Sequence, residues 1–262
     1  PYIAPIPYHQ LFRDLALPSA IRSQNELKNP HPIYEALTKI RVSRAFSKKE
    51  VRDRVLPTYL GLVKQLDDHL GSLFQFMREQ GSFDQTLIVF TSDHGDYLGD
   101  HWLGEKSWFH EPSVKIPLIV RDPSQSANFS RGSRSKELVE SIDLIPTFIE
   151  ALGGTFPDHI LEGKSLKPLL NCKSTECFRE YATSEYDYSI APISSLISAD
   201  PKKARVYMVT TQRWKYIHTV GYRSILFDLQ EDPMELNDLG EDVGYFKIQR
   251  ELNDQLLEWS LR

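Results

Sequence analysis

Cysteine is almost missing from this chain: its 262 residues contain only Cys172 and Cys177, spaced C-x4-C. Two thiols cannot form the framework of a disulfide-stapled fold, and the expectation is a reduced, structural pair, with a local disulfide as the alternative. A metal site built on them is not expected, because no second cysteine or histidine cluster accompanies them. Long hydrophobic runs are missing too. Nothing approaches the ~20 apolar residues needed to span a bilayer, so no membrane partner is expected. There is no basic excess either: the net charge is −5. Phosphate-backbone binders carry a strong positive surplus, so nucleic acid is not an expected partner. Repeats and low-complexity tracts are absent. The chain opens Pro1-Tyr2-Ile3-Ala4-Pro5, without Met and without a leader-like segment. The expectation is that the natural amino terminus lies elsewhere, so this absence carries no information about targeting. A cytoplasmic location is the working expectation.

What is present is an ordinary globular composition, 40% hydrophobic and 26% charged. The length suffices for one large α/β domain, or for a core with a small appendage. Residues 1–18, rich in proline and aromatics, read as an extended arm. Residues 30–47 read as a helix entered after Pro32, followed by a basic stretch (Lys39, Arg41, Arg44, Lys48, Lys49) that forms a solvated face. Ser47-Lys-Lys-Glu50 has the spacing of a capping box. A long helix follows Pro57, with Leu60, Val63, Leu66, Leu70, Leu73, Phe74 and Met77 at intervals of three or four, and Gly81 ends it. Thr86–Thr91 and Ile116–Val120 are short continuous apolar runs, which read as buried parallel strands. Residues 136–152 read as another helix, with Pro146, which removes one N–H, as the place for a bend. Residues 206–211, 215–219 and 225–229 suggest an antiparallel meander, and 244–261 a closing amphipathic helix.

The chemistry concentrates in Phe90-Thr-Ser-Asp-His-Gly-Asp-Tyr-Leu-Gly-Asp-His101. Asp93 and His94 follow the carboxyl end of a strand, where open α/β sheets bind ligands. A carboxylate oxygen and an imidazole nitrogen can share one divalent ion if the backbone turns sharply between them, and Gly95 permits a turn. The alternative is a strand-ending turn with His94 on the surface; two ligands alone do not make a metal site. Lys106 lies in the same loop. It suits an anionic oxygen of a sulfate or phosphonate and charge on a leaving oxygen, or else a surface ion pair with Glu105 or Glu111. His101 and His110 flank the loop; each can be a substrate-facing general acid or a satisfied supporting histidine, and the second reading is favoured. His9, His31, His69, His159 and His218 have no legible chemical neighbourhood.

The stretch Tyr59–Gly71, then Gly81, then Thr86–Gly95 ending in Ser-Asp-His-Gly, resembles the sulfatase family signature. Gly99-Asp-His-Trp-Leu-Gly-Glu-Lys106, Val114–Val120, Leu161–Leu170, Arg213-Trp-Lys-Tyr-Ile217 and Leu226–Leu239 continue the resemblance in order. Within the family, Ala4–His9, His31-Pro32 and Arg179–Tyr188 are most similar to phosphonate monoester hydrolases. The resemblance implies Asp93 and His94 as metal ligands, one divalent metal ion (calcium or manganese), and Lys106 as the catalytic cation on the substrate's anionic group and leaving oxygen. It also implies a formylglycine nucleophile made from cysteine in a C-x-P-x-R or C-x-A-x-R cassette. Neither Cys172 nor Cys177 sits in one. The nucleophile and the remaining metal aspartates are therefore expected in an amino-terminal half outside this chain.

The expected fold is α/β: a mainly parallel sheet sandwiched by helices, as in the alkaline phosphatase superfamily, with a small carboxy-terminal antiparallel sheet plus helix. The expected divisions are 1–58 as arm and helical segment, 59–170 as core, and 171–262 as the small-sheet subdomain. The expected activity is metal-dependent hydrolysis of sulfate esters, phosphonate monoesters or phosphate diesters, with a small anionic ester as substrate and a homo-oligomer left open. The alternatives are a non-catalytic assembly or binding module, and a phosphatase or mutase of the same superfamily with a Ser or Thr nucleophile. The sequence upstream of Pro1 discriminates them.

Overall fold

The computed structural model describes residues 2–157, 159–171 and 177–261. Along the chain run helices α1 (Pro32–Lys39), α2 (Arg41–Phe46) and α3 (Lys49–Glu79), strand β1 (Ile88–Thr91), the short helix α4 (Glu111–Val114), strand β2 (Leu118–Arg121), helices α5 (Leu144–Ala151) and α6 (Lys167–Leu170), strand β3 (Ala182–Asp187), helix α7 (Pro192–Leu196), strands β4 (Arg205–Thr210), β5 (Trp214–Thr219) and β6 (Ile225–Asp228), and helix α8 (Phe246–Ser260). The chain forms two compact units. The first comprises Pro1–Gln85, His94–Lys115 and Ala191–Ala199, and the second Thr86–Asp93, Ile116–Ile190 and Asp200–Arg262.

In the first unit, α1 begins where the sequence places it. Pro32 occupies the first turn, where its missing N–H is not needed, and the His31 imidazole accepts from Ile33 N at 3.2 Å. The single helix expected over 30–47 is two helices. Ile40 is extended (ψ 157°), so α1 buries Ile33, Tyr34, Ala36 and Leu37 while α2 turns to bury Ser43 and Phe46. Ser47 and Glu50 do not form a capping box: Ser47 Oγ donates back to Arg44 O at 3.0 Å, and Lys48 precedes α3 without a side-chain cap. α3 starts at Lys49, before rather than after Pro57, which lies buried inside the helix. Gly81 does end it, with φ 69°. The apolar stripe of α3 is partly uncovered: Val63, Leu66 and Leu73 are 47–50% exposed, while Leu60, Leu70, Phe74 and Met77 are half-buried. Gly61 is required by close approach, since a Cβ there would stand 2.4 Å from Tyr8 O in the turn Tyr8–Gln10.

In the second unit, β1 and β2 are neighbours, as expected, but they pair antiparallel, Ile88 opposite Arg121 and Thr91 opposite Leu118. They are also half-buried rather than buried, and Ile119 is 63% exposed. A continuous apolar run reports the faces a strand can bury and says nothing of direction. Here the connection returns to the end of β1 that it left, which makes the pair antiparallel. The helix expected over 136–152 shortens to α5, preceded by a 3-10 turn over Ser141–Asp143. Glu140 N donates to Asp143 Oδ2 at 2.7 Å in a capping box, which starts the helical turns there and leaves Pro146 in the first turn of α5. Asp143 is fully buried; Arg179 pairs with both Asp143 and Glu140, and Lys164 N donates to Asp143 Oδ1.

The meander is present as β4, β5 and β6, extended by a strand that polar sequence concealed, to the order β3-β4-β5-β6, all antiparallel. One face packs on α8: Val209, Tyr216, Leu226, Leu252 and Leu256 form its core. Lys215 alternates with Tyr216 on β5 and is fully buried, its ammonium 2.6 Å from the Glu235 carboxylate. The state of the Cys172–Cys177 pair falls outside the described residues, because Cys172 does; Cys177 is exposed. No helix among the described residues is long and apolar enough to cross a membrane.

Candidate active site

β1 delivers Thr91, Ser92 and Asp93, and the chain then passes into the first unit at His94. The His94 imidazole lies with Nδ1 2.7 Å from Gly95 O. A carbonyl only accepts, so Nδ1 carries the proton and Nε2 keeps its lone pair. Lys106 Nζ stands 2.6 Å from that Nε2 and donates to it. Twelve residues separate the two, and the fold brings an ammonium onto an imidazole lone pair. Gly95 serves a purpose other than the expected turn. Its N–H donates to Ser113 O at 2.8 Å, and a Cβ would stand 1.9 Å from Pro112 O. Close packing of backbone on α4 demands glycine there. Asp93 belongs to the second unit; Ser92 Oγ lies 3.4 Å from its Oδ1.

The loop carrying Lys106 is conformationally costly. Leu98, His101, Trp102, Glu105 and Ser107 all have positive φ (45°, 49°, 59°, 58° and 99°), and Gly99 joins them at 98°. Left-handed backbone at a non-glycine residue costs about 1–3 kcal/mol, so it persists only where surrounding structure over-determines it. Here that structure is dense. Arg52 Nε donates to Leu98 O and its Nη1 to Pro18 O. His101 N donates to Ile21 O, and Ile21 N to Asp100 Oδ1. Arg22 lies 4.3 Å over the Trp102 ring, whose Nε1 donates to Ser23 O. Tyr2 donates to Asp96 Oδ2 at 2.6 Å; burial, and then that bond, push its phenol well above the ordinary value.

Behind Lys106, His101 and His110 are almost fully buried and stack with centroids 3.9 Å apart and planes 9° apart. His101 Nδ1 is 2.8 Å from Glu26 Oε1, and His110 Nδ1 is 3.2 Å from Tyr97 Oη. Tyr34 donates to His101 O at 2.7 Å, and burial raises its phenol strongly. Both histidines therefore take the supporting reading. Sequence reasoning missed Glu26, Tyr97, Arg22 and Arg52. One signal was available: Ser23-x-x-Glu26 has capping-box spacing and forms one, which fixes Glu26 for His101. Arg22 reaches Gly99 O across 77 residues, Arg52 reaches Pro18 O across 34, and Tyr97 meets His110 across 13; no local pattern encodes these contacts.

Strand β1 is followed by Ser92-Asp-His-Gly95, and the loop after it brings Lys106 back to His94; comparison with known proteins gives the family. A family model described as N-sulphoglucosamine sulphohydrolase, C-terminal, matches residues 99–261, and one described as Sulfatase matches residues 25–154. The chain belongs to the sulfatase family. It is 32% identical over 278 residues to the multifunctional alkaline phosphatase superfamily protein PehA of Trinickia caryophylli, covering 100% of this chain and 53% of that protein. It is 33% identical over 204 residues to an N-acetylglucosamine-6-O-sulfatase of Bacteroides thetaiotaomicron, covering 76% of this chain and 34% of that protein. Among solved structures, the phosphonate monoester hydrolase of Silicibacter pomeroyi superposes with a TM-score of 0.89 at 27% identity, covering 100% of this chain and 54% of that one. The chain thus spans about half the length of PehA and about a third of the glucosamine sulfatase.

Proposed function

We propose that this chain serves a metal-dependent hydrolase that cleaves small anionic esters, namely sulfate esters, phosphonate monoesters or phosphate diesters. Asp93 and His94 are ligands of one divalent ion, calcium or manganese, and Lys106 is the catalytic cation. The observation that carries the reading is the Lys106 ammonium resting on His94 Nε2. The contact marks an unprotonated imidazole nitrogen facing positive charge; a divalent ion would take that lone pair in place of the ammonium, and an aspartate beside His94 in the chain adds a hard anionic oxygen. Among the described residues no group of three His, Cys, Asp or Glu side chains could hold an ion alone, so Asp93 and His94 supply part of the coordination set. A bound divalent ion would supply Lewis acidity toward a sulfuryl or phosphoryl oxygen.

The Gly95 carbonyl holds the His94 tautomer, keeping Nε2 unprotonated. Lys106, an exposed side chain within reach of the same point, offers positive charge to a substrate oxygen and to the oxygen of the departing alcohol. Formylglycine, supplied outside this chain, is the nucleophile of the proposal; neither Cys172 nor Cys177 lies in the required cassette. The names of the relatives support the ester class and divide between sulfate and phosphonate. The test is calorimetric metal titration of the natural protein alongside hydrolysis of aryl sulfates and aryl phosphonate monoesters. Asp93→Ala should weaken metal binding and slow turnover together. Unchanged metal affinity in Asp93→Ala and His94→Ala would remove both from the ligand set.

A further inference from the structure

We infer that Glu26, Tyr97, His101 and His110 are positioning residues for Lys106: a buried imidazole stack, tied at both ends, holds the strained loop that presents the lysine to His94. The inference rests on the catalytic reading of Lys106 given above. Three observations carry it.

The first is the strain itself. Five non-glycine residues between Leu98 and Ser107 have positive φ, and two of them, Glu105 and Ser107, flank Lys106 directly. A loop left to itself relaxes from such a conformation, so the structure around it sets where Lys106 points. The second is the stack. His101 lies inside the strained loop and His110 just beyond it. Their rings are parallel at 3.9 Å, with almost no solvent exposure. One end of the stack is fixed by the Glu26 carboxylate at His101 Nδ1. The other is fixed by Tyr97, whose hydroxyl lies 3.2 Å from His110 Nδ1 and accepts from His110 N.

The third is continuity with the lysine. Tyr97 N donates to Glu105 O at 2.9 Å, the carbonyl immediately before Lys106. On the other side, the segment that His110 opens carries Ser113, whose carbonyl accepts from Gly95 N beside His94. The partners of the 2.6 Å contact therefore hang from the same few residues: Lys106 through Tyr97, and His94 through α4. A shift of the stack by one ångström moves Lys106 relative to Nε2, and misplacements of that size cost about 100-fold when a charge must meet a reacting oxygen.

The test separates positioning from simple stability. In the natural protein, acylation of lysines by a small amine-reactive reagent is followed peptide by peptide by mass spectrometry. With divalent ions removed by a chelator, so that His94 Nε2 is free to accept from it, Lys106 should react more slowly than the exposed Lys48. Glu26→Ala and Tyr97→Phe should raise Lys106 reactivity to that of Lys48, while Glu26→Gln, which keeps an acceptor for His101, should not. In steady-state hydrolysis the two disruptive variants should lose about tenfold or more in kcat on esters with poor leaving groups, with KM and good leaving groups little changed. If Glu26→Ala does not fold, Tyr97→Phe, which removes one hydroxyl, decides. Lys106 reactivity identical in all variants overturns the inference, as does a uniform fall in kcat across leaving groups. If labelling responds as stated but the unchanged protein hydrolyses none of the esters, the positioning stands and the catalytic reading of Lys106 falls.

Discussion

Lys106 and Lys215 show what fold can do with one residue type. Lys215 has none of its side chain exposed and meets Glu235, itself 1% exposed, at 2.6 Å. Removing one partner of such a pair strands a buried charge. Lys215→Ala is expected to cost about 3–5 kcal/mol in urea-induced unfolding, whereas Lys215→Met combined with Glu235→Leu should recover most of it. A single-substitution loss below about 1 kcal/mol, the range of exposed pairs, would contradict the buried pairing. Lys106 is exposed and engaged with His94, and in the proposed function its contribution is to chemistry. Lys106→Ala in the natural protein should leave metal affinity intact and slow esters of poorly acidic alcohols more than those of acidic phenols. A cation near the leaving oxygen matters most when that oxygen bears developing charge. Equal slowing of both ester kinds would end that role.

Elements are held by contacts between specific backbones. Gly61 lets α3 approach the Tyr8–Gln10 turn so closely that an added Cβ would meet a carbonyl oxygen at 2.4 Å. Gly61→Ala should therefore destabilise by about 1–3 kcal/mol through forced separation of two backbones, read as a lower urea midpoint with an unchanged slope. The small sheet offers a pH test. The Arg213 guanidinium forks onto Asp228 at the end of β6 and, with the N–H groups of Gln230 and Glu231, holds that carboxyl below the usual range. A depressed carboxyl contributes stability that is fully present above its unfolded value, about 3.9, and is lost as pH falls through the folded value. Thermal midpoints measured from pH 6 downward should drop below about pH 4, and the drop should be shallower in Arg213→Met. Parallel curves would remove this pair from the acid response.

At the scale of the whole molecule, large apolar side chains stand in the open on several elements: Val63, Leu66, Leu73 and Phe76 on α3, Ile119 on β2, Ile145 and the adjacent Leu152 at α5. Large apolar side chains left exposed in number mark surfaces that other protein can cover. The chain also spans only about half of PehA. The purified 262-residue chain should accordingly bind a hydrophobic dye and show no turnover of aryl sulfates or phosphonate monoesters. The reason follows from the proposed function, in which the formylglycine nucleophile is supplied from outside this chain, and loss of a nucleophile costs several orders of magnitude in rate. Robust, chelator-sensitive turnover by this chain alone would place a nucleophile within it.

Local pattern determined much of this protein. Pro32 and Gly81 mark helix ends because they act on their own backbone. The meander over β4–β6 and the closing helix α8 followed from alternation and amphipathic spacing. Direction and partnership were decided elsewhere. An apolar run cannot say that β1 and β2 run antiparallel, and polar β3 hid because its pairing with β4 depends on a neighbour rather than on its own residues. Ser47-x-x-Glu50 and Ser23-x-x-Glu26 share one spacing, yet only the second forms a capping box, with Glu26 also anchoring His101. The buried histidine stack and the left-handed loop were decided by tertiary structure alone. Their supports include groups far off in the chain, Glu26 75 residues from His101 and Arg52 46 from Leu98, and strain of that kind survives only after the rest of the fold has closed around it.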